Sequence, residues 1–353
     1  MRGLIMGCVF AVGFTPMAQA VFIRDDVPVG NYNTFALQPK YAAAGYVLNF
    51  NDTGGGSVSV GTCSGTLISP TKVLTAAHCF VNGAGVPSPS GTRVFGVETT
   101  LPSFSPGLVS NFASVVNNPL YTSGSTAGAV TNDVAIVTLT APITAVASAQ
   151  LYLGSVLGQT AALIGYGGQG TGTTPGSPAG ANNRLGGQNV LDVASTSAIR
   201  IDFDSPAGDK STLGSASPLP LEASVAGGDS GGALFVDING NTFVVGDLNG
   251  GANPVGPADL YGDRNSYAPV INVDNARFII ENAPDAVFDR PLTSGAGPGA
   301  VAVSDVAILK SIITYGDVLH AAEFDTVAVP EPGTMALLAF AVSAVGIARR
   351  RTA

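Results

Sequence analysis

The sequence predicts an all-β fold, and three observations carry that reading. Charged residues make up 11% of the 353-residue chain, which is punctuated by 46 glycines and 23 prolines. That composition opposes long helices and coiled coils, which need charged, Ala- and Leu-rich heptads. Apolar runs are short, often alternating or β-branched, and bounded by Gly, Pro, Ser and Asn. Asn239-Gly240, between Leu234-Phe235-Val236 and Phe243-Val244-Val245, is a hairpin signal because both turn residues accept positive φ. With 46% hydrophobic residues the chain can bury a sizeable core and is no solvated coil. A balance of 15 basic against 24 acidic residues, −9 in all, leaves no basic footprint for nucleic acid.

The first element is an address. Arg2, the eleven-residue apolar run Leu4 to Phe14 and the small-x-small triplet Ala18-Gln19-Ala20 form a secretory signal peptide over residues 1–20. Gly7, Gly13 and Pro16 argue against a core helix there. Cleavage after Ala20 removes Cys8 and leaves Cys63 and Cys79. Export implies an oxidising compartment, so these two are expected to form a disulfide. Closing a loop of about fifteen residues is worth ~3 kcal/mol on the chain-entropy account.

Strands are expected at Gly45 to Phe50, Gly65 to Ile68, Val134 to Leu139, Ala161 to Ile164, Ala233 to Val236 and Phe243 to Val245. Thr171 to Asn183 reads as a loop, and one helix is expected over Val273 to Asn282, with Asp274 and Asn275 near its start. Beyond Pro284 the chain is a spacer up to Val329, although Val301 to Tyr315 is apolar enough to fold back on the body. Gly165 to Gly170 fits G-x-G-x-x-G, yet Thr-Gly-Thr-Thr-Pro-Gly-Ser-Pro follows it. No helix can start there to hold a pyrophosphate, so nucleotide binding is excluded.

The last element is Val329-Pro330-Glu331-Pro332-Gly333, an apolar run from Met335 to Ala348, and Arg349-Arg350-Arg351. Fourteen helical residues span about 21 Å, short of a hydrocarbon core of about 30 Å. The order Pro-Glu-Pro, apolar run, Arg cluster resembles the PEP-CTERM sorting signal of Gram-negative bacteria. That resemblance implies transient membrane insertion with the arginines cytoplasmic, then processing by an exosortase-type enzyme. Loss of Arg2 and Arg349 to Arg351 would shift the net charge from −9 to near −13, which favours solubility.

Three short segments carry the chemistry. Cys63-Ser64-Gly65-Thr66-Leu67-Ile68 is followed by Val73-Leu74-Thr75-Ala76-Ala77-His78-Cys79, and the second His of the chain, His320, lies in the spacer. Asn132-Asp133 opens an apolar strand; a buried carboxylate there could take one ring N–H of a histidine, fixing its tautomer. In Gly227-Gly228-Asp229-Ser230-Gly231-Gly232 the glycines allow a sharp turn and close approach to a serine. The N–H groups of Gly228 and Ser230 could converge on an oxyanion, each worth about 3–4 kcal/mol.

Together T-A-A-H-C at 75–79, D-V-A-I at 133–136 and G-D-S-G-G at 228–232 resemble the chymotrypsin/trypsin family of serine peptidases. Their order agrees, with 55 residues from His78 to Asp133 and 97 from Asp133 to Ser230. Ile164-Gly165-Tyr166-Gly167 and Tyr267-Ala268-Pro269-Val270 add support, and the likeness covers roughly residues 40–282. It implies two packed six-stranded antiparallel β-barrels with a C-terminal helix. The peptidase domain would be 21–283, with the first barrel about 35–145, the second about 146–272 and the helix 273–282. Residues 284–329 would be the spacer, and 330–353 the sorting segment with a short apolar helix.

The resemblance also implies roles. Ser230 would be the nucleophile, His78 the general base, Asp133 its orienting partner, and Gly228 and Ser230 the oxyanion hole, with no metal or organic cofactor. Protein or peptide substrates would be cleaved through an acyl-enzyme. Ser224 stands where the family floors its primary specificity pocket, implying apolar or small side chains rather than Arg or Lys. Glu222 is the remaining route to a basic preference. No Ile-Val-Gly-Gly start is present, so Val21 is expected to supply the amine that pairs with Asp229, without a separate zymogen step. The alternative function is an inactive homologue acting as a surface or matrix binding protein. A triad and oxyanion glycines all in place count against it, and a purely structural membrane-anchored protein explains none of them.

Overall fold

The computed structural model describes residues 21–54, 57–81, 91–100, 104–122, 132–174, 184–252 and 259–289. The expected signal peptide, residues 175–183 of the Gly-rich loop, the spacer beyond 289 and the sorting segment with its apolar helix lie outside these residues. Among the described residues no helix is long and apolar enough to cross a membrane.

The chain opens with β1 (Phe22–Ile23) and α1 (Val29–Ala36). Six strands follow: β2 (Ala44–Gly54), β3 (Ser57–Ser69), β4 (Lys72–Thr75), β5 (Thr92–Gly96), β6 (Val109–Asn117) and β7 (Ala135–Leu139). They close into a barrel in the order β2-β3-β4-β7-β6-β5, leaving no unpaired edge. Val47, Leu67, Val73, Phe95 and Val137 pack together as one buried cluster of the barrel.

The second half holds β8 (Gln150–Leu151), β9 (Thr160–Gly165), β10 (Gly170–Thr171), β11 (Leu185–Val190), β12 (Val193–Ala194) and β13 (Ile199–Asp202). It continues with β14 (Ala223–Ser224), β15 (Ala233–Ile238), β16 (Asn241–Ala252) and β17 (Arg264–Pro269). Instead of a second closed six-stranded ring, these form an eight-stranded sheet ordered β11-β9-β15-β16-β17-β13-β12, with β8 also on β16. Two-residue strands β8 and β12 extend the sheet, and β16 shifts register between Leu248 and Gly250, where a bulge bends the strand. All six expected strand segments fall in β2, β3, β7, β9, β15 and β16, Val134 alone lying just outside. Asn239 and Gly240 adopt φ of 50° and 82° in the expected hairpin.

Between the halves, Tyr41, Ile68, Leu74 and Ile136 meet Ile164, Phe235 and Val244 in one buried cluster. Phe278 and Ile279 of α2 (Val273–Asn282) join it. The α2 cap is Asn272, whose side chain accepts from the N–H groups of Asp274 and Asn275. Helix α1 lies against β11, where Cβ atoms added at Gly186 and Gly187 would come within 3.3 Å of Ala36 and 3.4 Å of Tyr32.

Candidate active site

Register brings His78 and Asp133 together. Thr75 at the end of β4 pairs with Ala135 at the start of β7, so the residues after one and before the other leave the barrel side by side. A 3₁₀ turn at Ala77–Phe80 follows, and the Cys63–Cys79 disulfide ties it to β3. His78 donates its backbone N–H to Asp133 Oδ1 at 2.8 Å, and its Nδ1 lies 2.6 Å from Oδ2. Both carboxylate oxygens thus hold one histidine from two directions. The Asp133 side chain is 2% exposed and that of His78 30%, so the far ring edge is open to a reactant.

Ser230 lies on the loop from β14 to β15. The turn needs glycine, since Gly228 and Gly231 have φ of +100° and +80°. A Cβ at Gly231 would sit 2.1 Å from Thr75 Oγ1 and 2.5 Å from Ser64 O. Ser64 clamps this loop to the first barrel. Its N–H donates to Ser230 O at 2.7 Å, its Oγ to Gly228 O at 3.2 Å, and its carbonyl accepts from Thr75 Oγ1 at 2.7 Å. Ser230 is therefore pinned against the segment that ends in His78, though no hydrogen bond joins Ser230 Oγ to His78 Nε2. Among the described residues the N–H groups of Gly228 and Ser230 donate to no protein acceptor.

Asp229 points the other way, into the protein. It accepts from Gly167 N at 2.7 Å, Ala226 N at 2.8 Å and Val21 N at 3.2 Å. Burial pushes its carboxyl up to about 6, and these N–H groups act against the rise. Gly165 and Gly167 exist for this contact, because a Cβ on either would fall within 3 Å of Asp229. The glycines of the apparent nucleotide motif thus make room for a carboxylate. Val21 is 1% exposed and has φ of 67°, a backbone region unfavourable to a β-branched residue.

A cavity of about 410 Å³ adjoins Ser230, walled by Phe22, Val225, Leu248 and Leu260, with Gly250 at its side and Asp263 and Asn265 also in the lining. Ser224 does not line it. Ser224 is buried beneath, its Oγ donating to Asn265 Oδ1 at 2.8 Å. Glu222 is buried outside the cavity lining, accepts from Leu219 N, and is pushed up to about 9, chiefly by burial.

Asp247 escaped the sequence reading. It is 1% exposed on β16, both of its oxygens lack hydrogen-bond partners, and burial, followed by the charge of Asp133, raises its carboxyl well above the usual range. An acid inside the apolar run Phe243 to Leu248 was its available signal. Cys63, His78 and Cys79 bring potential metal-ligating atoms within 4.8 Å. With both sulfurs in the disulfide, a lone imidazole remains, too few donors for a metal centre.

Comparison with known proteins decides the family. The family model described as Trypsin matches residues 41–272. The chain belongs to the trypsin family. Its fold is accordingly that of the chymotrypsin-like serine peptidases, hydrolases acting on proteins. Residues 328–351 match the PEP-CTERM protein-sorting motif, a mark of exported, surface-sorted proteins. Among solved structures, this trypsin-family chain is similar to one titled "Structure of Glu endopeptidase in complex with MPD". The identity is 19%, the likeness covers 75% of this chain and 96% of that one, and the TM-score is 0.49. A comparison with curated proteins finds no match.

Proposed function

We propose that the protein is an exported serine endopeptidase in which Ser230, His78 and Asp133 act as nucleophile, general base and orienting carboxylate. The observation that carries this is the two-point hold of Asp133 on His78, beside a loop that Ser64 clamps around Ser230. Nδ1 bonded to a carboxylate leaves Nε2 as the ring atom that accepts a proton. Ser230 Oγ attacks the substrate carbonyl carbon as its proton passes to Nε2. The carbonyl oxygen, now negative, accepts from the N–H groups of Gly228 and Ser230. His78 returns the proton to the leaving nitrogen as the C–N bond breaks. Water then attacks the ester carbon, giving one proton to His78, and Ser230 departs with it.

Two features outside the triad belong to the same proposal. Cleavage after Ala20 would turn the Val21 amide into an ammonium beside Asp229, replacing a weak neutral donor with an ion pair in a buried site. It would also abolish the φ torsion of Val21, and with it the strain of a β-branched residue at 67°. The tail 330–353 is proposed as the exosortase-processed sorting segment that enters the membrane transiently, and 284–329 as its spacer. For the cleavage site, the walls Val225, Leu248 and Leu260 support an apolar side chain or a long aliphatic stem. The inactive-homologue alternative has no observation in its favour.

Labelling with a fluorophosphonate followed by mapping of the adduct tests the proposal. The adduct is expected on Ser230 and is expected to vanish in His78→Ala. Absence from Ser230 in folded protein, or labelling indifferent to His78, would defeat it.

A further inference from the structure

The expectation of an apolar or small side chain rests on Ser224, the position that floors the pocket elsewhere in the family. Here that position is neutral and already engaged with Asn265. A carboxylate nevertheless lines the cavity, and it comes from another element. Asp263 immediately precedes β17 and shares the cavity with Ser230. Its Oδ1 is shielded from solvent and has no hydrogen-bond partner, so no protein donor engages this oxygen, and a donor entering the cavity would meet the part of the residue that stays 9% exposed.

The cations in its neighbourhood are engaged with other groups. Lys210 pairs with Asp259. Arg264, next in the chain, turns its guanidinium to Thr212, with Nε 3.0 Å from Oγ1 and Nη2 2.7 Å from the carbonyl. The rest of the lining suits a long aliphatic stem. Val225, Leu248, Leu260 and Phe22 are apolar, and Gly250 has open space where a side chain would narrow the way. At about 410 Å³ the cavity exceeds what a small side chain would fill. A mainly apolar lining that carries one acid fits a chain of methylenes ending in a cation.

We propose that Asp263 is the specificity-determining residue of this pocket and reads a lysine or arginine side chain on the substrate, in place of the neutral Ser224. The inference rests on the peptidase reading for what the bound side chain belongs to, but not for the binding itself. Burial, with Asp259 adding to it, pushes the Asp263 carboxyl up to about 7, which is consistent with an acid awaiting a partner.

Two measurements test it. Peptides identical except for lysine or norleucine at the cleavage site isolate the terminal cation. The ratio of kcat/KM is expected to favour lysine by about 30-fold or more, to collapse in Asp263→Asn and to be partly kept in Asp263→Glu, which preserves the charge. Calorimetric binding of n-pentylamine and 1-pentanol to the Ser230→Ala protein needs no catalysis. The amine should bind at least about ten-fold more tightly, and Asp263→Asn, its fold checked by near-ultraviolet circular dichroism, should erase the difference. A norleucine preference in the wild type, equal binding of amine and alcohol, or a preference that survives Asp263→Asn overturns the proposal. Amine binding as expected without hydrolysis of either peptide would defeat the peptidase reading and leave the pocket assignment standing.

Discussion

At Asp133 the two hydrogen bonds to His78 divide the work, one fixing the backbone and the other the ring. Asp133→Asn keeps the size of the side chain but presents an amide that can favour the wrong tautomer. The expected result is folded protein with kcat reduced about 10⁴-fold at neutral pH, read by steady-state hydrolysis; a loss below ten-fold would show that His78 needs no orienting charge. Asp247 predicts the opposite kind of outcome. A buried acid without partners is a liability, so Asp247→Leu should raise stability by about 1–3 kcal/mol. Because the folded carboxyl is shifted upward, the cost of keeping it grows with pH, and the gain should be larger at pH 8 than at pH 5 in urea titrations. Equal gains at both pH values would show that packing, not ionisation, governs the site. Of the residues at this site, His78, Asp133 and Ser230 were legible because each sits in a contiguous motif. Ser64, Asp247 and Asp263 were not. Ser64 acts on Ser230 from 166 positions away, and Asp263 joins the cavity only once β17 lies beside β16. No local pattern encodes such pairings.

At the scale of elements, β1 is among the shortest strands and yet touches several parts of the molecule. Phe22 and Ile23 pair with β10 on one side and β14 on the other, Val21 meets Asp229, and Phe22 lines the cavity at Ser230. One amino acid added before Val21 would replace the ammonium by an amide in a site 1% exposed. Such a protein is expected to fold but to lose activity by about 100-fold or more against a chain beginning at Val21, the cost of an ion pair missing from a buried site. Parallel assay of the two purified forms decides it, and equal activity would sink the link between β1 and Ser230. Helix α1 marks the limit of the sequence reading. Val29-Gly30-Asn31-Tyr32-Asn33-Thr34-Phe35-Ala36 is poor in helix formers. It is helical because Tyr32, Phe35 and Ala36 are buried, a tertiary effect that overrides propensity. Helix α2, with an apolar stripe and a polar start, announced itself, although the cap proved to be Asn272 just ahead of the pair singled out.

For the molecule as a whole, low charge in the sequence conceals a set of shielded acids in its second half. Burial as the leading cause raises Asp192 to about 6, Asp204 and Asp263 to about 7 and Glu222 to about 9. The same residues unfolded titrate near ~4. Each raised group binds its proton more tightly when folded, so stability is greatest below the unfolded value and declines as pH climbs through the folded one. Asp25, Asp26, Asp209 and Asp237 are shifted downward, but solvent weakens what such exposed groups contribute. The thermal midpoint should therefore fall between pH 5 and pH 9, and a midpoint that rises over that range would contradict these burials. The two-part β architecture was readable from strand runs, the hairpin and motif order. The closure of one half and the eight-stranded opening of the other were not, because the bulge at Leu248 to Gly250 depends on what pairs with β16.

The contact between Val21 and Asp229 also bears on where the protein is harmless. Were Val21 the mature first residue, as proposed, the chain would be made with its switch covalently blocked, and the cell that synthesises it would be shielded until the leader is removed. No inhibitor protein and no second protease would be required for that protection. The same logic governs laboratory production: a purification tag belongs at the far end, and a chain started at methionine in the cytoplasm should accumulate as a silent, harvestable precursor.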